Sequence, residues 1–427
     1  MQNSSTIAVI GLGYVGLPLA LLAAKRNYNV IGLDNDPKKV EMIKNGHSPF
    51  LDEQIESKLI NQKIAVTTDF KSVSQAEIVI ICVPTPVFEN HLPNLNLLKD
   101  ACKNISPFIK MGSLIVIEST VNPGVCDDIV LPVIEKHSKL KCGQEFYLAH
   151  CPERINPGDT IWNLENIPRV IGGYDGQSLE KGCAFYDSIL KGSIKKMGSI
   201  KEAEACKIVE NSFRDINIAF VNELAKSFDK LGIDIKNVIE GASTKPFGYM
   251  PHYPSCGVGG HCIPVDPYYL IQEAKSQGFD HKFLKLAREI NNSMPEFAVE
   301  KVIEGLRQVG KSPKKSKVCV LGLSYKANIS DDRESPSYKI IDCLKKRNVR
   351  LAWYDPFIPK KSSADSFDDA MAGSDAIIMA TPHNFFLEKI TPAYLAEQNI
   401  QVIVDGKNCL NKSAFIELGI IYKGIGR

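Results

Sequence analysis

A chain of 427 residues is longer than one ordinary hydrophobic core spans, so two or three domains are expected. Its 44% hydrophobic and 23% charged residues are those of a soluble globular protein, and a net charge of +2 argues for neither nucleic acid nor an anionic membrane as partner. No run of about 18 apolar residues occurs, so no transmembrane helix is expected. Met1 to Thr6 is polar and runs straight into Ile7-Ala8-Val9-Ile10, a short apolar run that fits a strand buried on both faces, so no signal peptide is expected either. Gly11-Leu12-Gly13-Tyr14-Val15-Gly16 follows at once, and Leu17 to Lys25 reads as an alanine-rich helix with Pro18 tolerated in its first turn. A second strand, Asn29 to Leu33, ends at Asp34, 18 residues beyond Gly16. Strand, glycines, helix, strand and acid in this order form a dinucleotide site. Gly11 permits the tight turn, Gly13 lets a pyrophosphate approach, Gly16 lets the helix pack on the strand, and the helix N-terminus offers amides to the phosphates. Asp34 would accept from the adenosine ribose and repel a 2′-phosphate, which favours NAD over NADP.

Further strands are expected at Ile78 to Val83, Ser113 to Glu118 and Phe146 to His150. Ligands of an open α/β sheet collect beyond the carboxyl ends of its strands, which places Thr85, Ser119, Thr120 and Glu153 at the cofactor cleft, although Pro, Ser and Thr also serve plain turns there. Lys201 to about Leu231 reads as a long helix on which Lys207, Asn211 and Arg214 share one face. Ile208, Phe213, Ile216, Ile218, Phe220, Val221 and Leu224 are apolar around much of its circumference, so the helix is expected to be buried nearly all round, joining two nucleotide domains and providing a subunit interface.

Gly241 to Pro254, rich in glycine, proline and aromatic residues, leads into Gly257-Val258-Gly259-Gly260-His261-Cys262-Ile263-Pro264-Val265-Asp266. A thiol beside adjacent glycines, with a carboxylate four residues on, is either a covalent nucleophile with a candidate base or a buried cysteine in a glycine turn. His261 could lower the thiol pKa, or point away along extended backbone. The C-terminal third begins again like the first: Lys317-Val318-Cys319-Val320-Leu321-Gly322-Leu323 echoes Thr6 to Leu12 but lacks the later glycines. A helix from Ser335 to Lys346 and strands Arg350 to Tyr354, ending at Asp355, Ala376 to Ala380 and Gln401 to Val404 complete a second Rossmann-like domain, suited to another nucleotide. Lys326, Arg333 and Lys407 sit past strand ends or in loops, where they can meet phosphate or ribose. The twelve cysteines, without CxxC pairs, and the eight dispersed histidines point to reduced cytoplasmic thiols, with no metal site.

Through GLGYVG, STVNPG, CPERINPGD, KIVENSFRDINIAFVNE and GVGGHCIPVD, in that order, the chain resembles the UDP-glucose/GDP-mannose dehydrogenase family over essentially its whole length. The resemblance implies an α/β protein of two Rossmann-like doubly wound domains joined by a long central helix within an α-helical dimerisation region. It places an NAD domain at 1–200, a central helical domain with the cysteine loop at 201–300, and a UDP-sugar domain at 313–427. It further implies a homodimer formed around the central helix, with a UDP-sugar as its substrate. The implied reaction is a four-electron, NAD-dependent oxidation of a sugar-nucleotide C6 alcohol to a carboxylate.

The resemblance also assigns roles. Cys262 adds to the C6 aldehyde, and hydride loss from the thiohemiacetal leaves a thioester. Lys207 stabilises the developing anion, and Asn211 is the oxyanion donor. Asp266 acts with a water as base, Glu153 assists thioester hydrolysis and Thr120 positions the water. Lys326 meets the sugar nucleotide, and Arg333 reaches the NAD pyrophosphate. Arg154, Arg214, Lys245, Tyr249, Gly259 and His261 join the substrate residues by their place in the matching segments. Lys245, and Lys407 within Asp405-Gly406-Lys407-Asn408, stand where UDP-glucose members commonly carry arginine. His261 and Thr244 to Pro251 look instead like the branch acting on UDP-N-acetylglucosamine and UDP-N-acetylmannosamine. UDP-glucose and UDP-N-acetylgalactosamine are the alternative substrates. A non-catalytic NAD-binding protein and a two-electron 3-hydroxyacid dehydrogenase are the competing functions, the latter needing no cysteine.

Overall fold

A computed structural model describes residues 5–50, 53–61, 64–88, 90, 92–155 and 161–427. Residues 1–4 of the polar start and Asn156 to Asp159 of the CPERINPGD segment lie outside the described residues. The chain divides into two compact bodies, Met1–Glu210 with Tyr268–Phe279, and Asn211–Pro267 with Asp280–Arg427.

The first body is built on eight strands: β1 (Thr6–Ile10), β2 (Asn29–Leu33), β3 (Ala65–Thr67), β4 (Ile78–Ile81), β5 (Leu114–Ile117), β6 (Tyr147–His150), β7 (Arg169–Gly173) and β8 (Ile194–Lys196). Their order is β3-β2-β1-β4-β5-β6-β7-β8, with only the β6–β7 pair antiparallel. Six strands thus follow the doubly wound order that reverses between β1 and β4. Along β1, Ile7 and Val9 enter the core on one face while Ala8 and Ile10 enter the core on the other. A strand buried on both faces reads as an unbroken apolar run for this reason. The three strands not anticipated are short or begin with a charge: β3 is Ala-Val-Thr, β8 is Ile-Lys-Lys, and β7 opens on Arg169.

The second body holds β9 (Lys317–Leu321), β10 (Arg350–Tyr354), β11 (Ala376–Met379), β12 (Val402–Asp405) and β13 (Ile421–Gly424), all parallel in the order β10-β9-β11-β12-β13. Counted within the domain this is 2-1-3-4-5, the other common doubly wound order. Val318 and Val320 face a core with Met294, Ala298 and Val302, while Cys319 and Leu321 face Phe367, Phe386 and Phe415. The first of these layers comes from Lys282–Gln308, a 27-residue helix absent from the elements expected above. Pro295 stands inside it, and a mid-helix proline removes a hydrogen bond and erases the usual helix signature. Expected ends shift slightly elsewhere: Ser335 caps the Pro336–Lys346 helix, its hydroxyl accepting from the Ser337 amide.

The long helix runs from Ile200 to Leu231, starting in the first body and continuing into the second. Its burial corrects the expectation of an apolar helix enclosed all round. Val209, Phe213 and Phe220 are 56%, 46% and 53% exposed, and with half-buried Ile216 they fall at i, i+4, i+7 and i+11 on one stripe. The enclosed side instead carries Glu204, Asn211, Asp215 and Asn222. Buried polar groups need partners, and these have them. Arg288 Nη1 donates to Asp215 Oδ1 at 2.5 Å, Asn291 Nδ2 donates to the same oxygen at 2.8 Å, and Asn222 links Asn291 to the Ser255 amide. Burial raises the Asp215 carboxyl, and Arg288 pulls it back. Arg288→Met should therefore lower the stability of the second body by about 3–5 kcal/mol, because Asp215 stays buried without its cation. Denaturation followed by the Trp353 fluorescence of a Trp162→Phe background reads this body; an unchanged midpoint would refute the role.

Candidate active site

In the first body the glycine loop is shaped by backbone contact. Gly11 has φ +91° and donates its amide to Leu33 O at 2.8 Å. A Cβ on Gly16 would lie 1.9 Å from Gly11 O, whereas one on Gly13 would meet nothing within 4 Å. The helix Gly16–Lys25 begins with no side-chain cap and no acid in its first turn, and Val15 occupies the N-cap. Bare amides above an open glycine suit an anion. Tyr14 stacks on Phe50 with ring centroids 4.3 Å apart. Asp34 is buried; its Oδ2 accepts from the Leu12 amide at 2.9 Å and from Lys39 Nζ at 2.7 Å, and its Oδ1 from the Asp36 amide. Lys39 offsets part of the charge expected to repel a 2′-phosphate, so the acid's remaining contribution is its accepting lone pairs. These features fit NAD.

Beyond β4 and β5, Thr85 Oγ1 donates to Thr120 O at 2.6 Å and Ser119 Oγ donates to Val83 O at 2.7 Å. Both hydroxyls therefore knit the loops together and keep only accepting capacity for a ligand. Tyr269, fully buried in the helix Asp266–Ser276, donates to Thr85 O, and Asn122 donates to Glu273 of the same helix.

Glu153 follows β6 and is buried. Its Oε1 accepts from the Arg154 and Ile155 amides at 2.6 and 2.7 Å, and its Oε2 from Arg169 Nη2 at 2.5 Å. Arg169 is fully buried, 3.8 Å from Glu118, whose other oxygen accepts from Tyr186 OH at 2.5 Å. Burial pushes the Glu118 carboxyl up to about 7 against the pull of Arg169. Glu118, Arg169 and Tyr186 were not anticipated; the available signal was an arginine opening an otherwise apolar strand, since a buried arginine requires carboxylates. Arg154 is tied to Glu210 at 2.6 Å.

In the second body the cysteine lies in a turn that leads into the Asp266–Ser276 helix, with Cys262 O accepting from the Val265 and Asp266 amides. A Cβ on Gly259 would strike Tyr325 Cβ at 2.7 Å, and Gly260, at φ +88°, would strike the Tyr325 ring at 2.9 Å. The glycines thus admit a neighbouring segment of the chain, and Gly260 donates its amide to Arg333 O. The His261 ring does not point away: its Nε2 is 3.3 Å from Cys262 Sγ. Arg333 forks onto Asp331, with Nη2–Oδ2 at 2.5 Å. The Asp331 carboxyl sits below its ordinary range, burial being outweighed by Arg333 and, after it, by the charge of His261. Asn211 Nδ2 donates to Asp266 Oδ2 at 2.5 Å, and both residues are buried.

Along the long helix, Lys207 is half-buried one turn before Asn211, whereas Arg214 is exposed, so the three share a helix face but not an environment. The structure therefore brings Cys262, His261, Asp266, Asn211, Gly259 and Arg333 into one neighbourhood of the second body. Lys245 and Tyr249 stand instead on a largely exposed stretch, Lys245 Nζ lying 4.9 Å from the Phe247 ring centre.

The second sheet repeats the first one's design at its own switch point. Gly322 has φ +90°, and Asp355 accepts from the Leu323 and Ser324 amides as Asp34 does from Leu12. Asp355 also accepts from Ser324 Oγ and pairs with His383 Nε2 at 3.0 Å. Lys326 is half-buried beyond β9; Lys407, beyond β12, has its ammonium pKa lowered by burial. Among the described residues no group of three or more His, Cys, Asp or Glu converges as metal ligands would.

Gly16→Ala should melt the first body at lower temperature and abolish NAD binding, because a backbone oxygen cannot move aside for the new methyl. Gly13→Ala should leave the melt within about 1 kcal/mol of the parent yet weaken NAD at least tenfold. Equal effects of the two in melting and NAD titration would refute this division of labour.

Comparisons with known proteins identify the family. Residues 5–190 match the NAD binding domain of the UDP-glucose/GDP-mannose dehydrogenase family, residues 201–293 its central domain and residues 319–412 its UDP binding domain. The chain is 34% identical over 425 residues to the UDP-N-acetyl-D-mannosamine dehydrogenase of Pyrococcus horikoshii, with 99% of each covered. It is 33% identical over 386 residues to the UDP-N-acetyl-D-glucosamine 6-dehydrogenase of Pseudomonas aeruginosa, with 89% of this chain and 91% of the relative covered. A solved structure of the Pyrococcus horikoshii UDP-D-ManNAc dehydrogenase superposes with a TM-score of 0.92 at 34% identity, with 99% of each chain covered. The chain is a member of the UDP-glucose/GDP-mannose dehydrogenase family, with that family's NAD binding, central and UDP binding domains in order.

Proposed function

We propose that this chain oxidises the C6 hydroxyl of a UDP-N-acetylhexosamine, UDP-N-acetylglucosamine or UDP-N-acetylmannosamine, to the uronic acid, supplying surface polysaccharide synthesis. The observation that carries this reading is the Cys262 turn, with His261 at the sulfur and the Asn211–Asp266 pair at the start of the following helix. The names of the relatives support the acetylated sugar.

Gly11, Gly13, Tyr14, Val15, Gly16 and Asp34 would hold the NAD, aided by Thr85, Ser119, Thr120 and Arg333. The chemistry it supplies when bound is acceptance of hydride, once for each two-electron oxidation. Cys262 attacks the C6 aldehyde and carries the acyl group as a thioester. Asn211 has two N–H donors, one spent on Asp266, so the other serves the oxyanion, with the Lys207 cation one turn away along the helix. Asp266, oriented by Asn211, takes the proton of the hydrolytic water. Glu153, whose oxygens receive the Arg154 and Ile155 amides and Arg169, is the acid that assists thioester hydrolysis, and Thr120 positions the water. Lys326, Lys245, Tyr249, Arg154 and Arg214 serve the sugar nucleotide.

Domain extents of 1–200, 201–300 and 313–427, and a cytoplasmic location, belong to the same proposal; no helix among the described residues is long and apolar enough to cross a membrane.

A panel of UDP-N-acetylglucosamine, UDP-N-acetylmannosamine, UDP-N-acetylgalactosamine and UDP-glucose tests the substrate. An N-acetyl sugar should be turned over best, with about two NADH per sugar; preference for UDP-glucose overturns the assignment. Cys262→Ser should cut acid formation on the order of a thousandfold or more while NAD binding persists. Full activity would remove the thioester. The chain is further proposed to dimerise through the stripe Val209, Phe213, Ile216 and Phe220, whose spacing suits packing against a second helix. Light scattering should find a dimer that Phe213→Asp with Phe220→Asp converts to monomer, and a parent monomer refutes it.

A further inference from the structure

We infer that His261 is the proton partner of Cys262, so that the nucleophile is activated by its own neighbour in the chain. The inference rests on the reading of Cys262 as nucleophile. Adjacent side chains on extended backbone point to opposite sides. Here the tight turn that begins at the glycines puts both side chains on one side, Nε2 and Sγ 3.3 Å apart.

Nε2 takes the thiol proton when the ring carries its own hydrogen on Nδ1. A cation beside the sulfur then favours thiolate over thiol. Other charged and titratable groups surround the pair. Arg333 and Asp331, from the segment packed on the glycines, form one ion pair, its cation close enough to Cys262 and its carboxylate close enough to His261 to interact with them electrostatically. Tyr325 comes from the same segment, and Asp266, at the start of the following helix, is engaged by Asn211.

The cycle balances. As the sulfur electron pair forms the S–C6 bond, the aldehyde π pair moves to oxygen and the thiol proton resides on Nε2. Hydride lost from C6, which bound NAD would accept, leaves the thioester; during hydrolysis the water oxygen takes the place of sulfur at C6, the water's proton goes to Asp266, the C–S pair returns to sulfur, and the imidazolium restores the thiol proton to it.

Alkylation by iodoacetamide, read by mass spectrometry at the Cys262 peptide against the buried cysteines as internal reference, tests this in the full chain without substrate. The parent profile should inflect below the pH of an ordinary thiol. His261→Asn, and His261→Gln, which keeps a side-chain amide near the sulfur, should both move the inflection upward by about one unit or more. The rate at neutral pH should fall roughly tenfold with it. Superimposable profiles for parent and both variants would overturn the assignment. Activity on the sugar panel separates the two claims: an altered profile in a chain that oxidises no sugar nucleotide defeats the proposed function and leaves the Cys–His pair standing. Oxidation by the parent with an unaltered profile in both variants does the reverse.

Discussion

The geometry of the candidate site depends on the close approach of two glycines to a tyrosine side chain. At Gly259 and Gly260 the cysteine turn lies so near Tyr325 that a methyl group at either position would overlap it, and the Gly260 amide is spent on Arg333 O. With that contact in place the turn is tight enough for Cys262 O to receive the Val265 and Asp266 amides, which starts the next helix at Asp266. The carboxylate is then delivered to Asn211, and the imidazole to the sulfur. A bulkier residue at either glycine would disturb all of these at once, since each is set by the same few backbone angles.

The two sheets show one plan put to different ends. Each has a positive-φ glycine after its first strand and an acid after its second, and the acid accepts a loop amide in both. In the first, open space above Gly13 and an uncapped helix start leave the loop ready for a pyrophosphate. In the second, Ser324 and His383 crowd the lone pairs of Asp355, and Thr381 lies where a Cβ on Gly322 would be. A loop already filled by its own side chains cannot accept the same ligand, which accounts physically for a second nucleotide domain without the dinucleotide fingerprint.

Both bodies also bury charge, and in each case the arrangement serves position more than stability. Arg169 between Glu118 and Glu153, and Arg288 against Asp215, give up hydration that their mutual attraction only partly returns. The return is geometric. Arg169 fixes one oxygen of Glu153 while two backbone amides fix the other, and the Asp215 cluster reaches through Asn291 and Asn222 to the Ser255 amide just upstream of the cysteine turn.

Much of this was legible in the residues. Strands buried on both faces announce themselves as apolar runs, and Asn29–Leu33 stands where the pattern puts it, as does the half-buried edge strand Arg350–Tyr354. The glycine loop, Asp34, Cys262 and Asp266 carry signals that are local in the chain, because the turn and the helix start need particular residues at fixed spacing. What tertiary structure alone decided is of another kind. The Lys282–Gln308 helix survives its internal proline because a core layer holds it, and the Ile200–Leu231 helix leaves an apolar stripe outside because its polar residues find partners within. Arg169 and Glu118 meet Glu153 only through the pairing of strands far apart in sequence. His261 turns toward Cys262 because Tyr325 and Arg333, more than 60 residues on, shape the turn between them. Local spacing determines which groups the chain carries; long-range packing, which sets their directions, determines which of them meet.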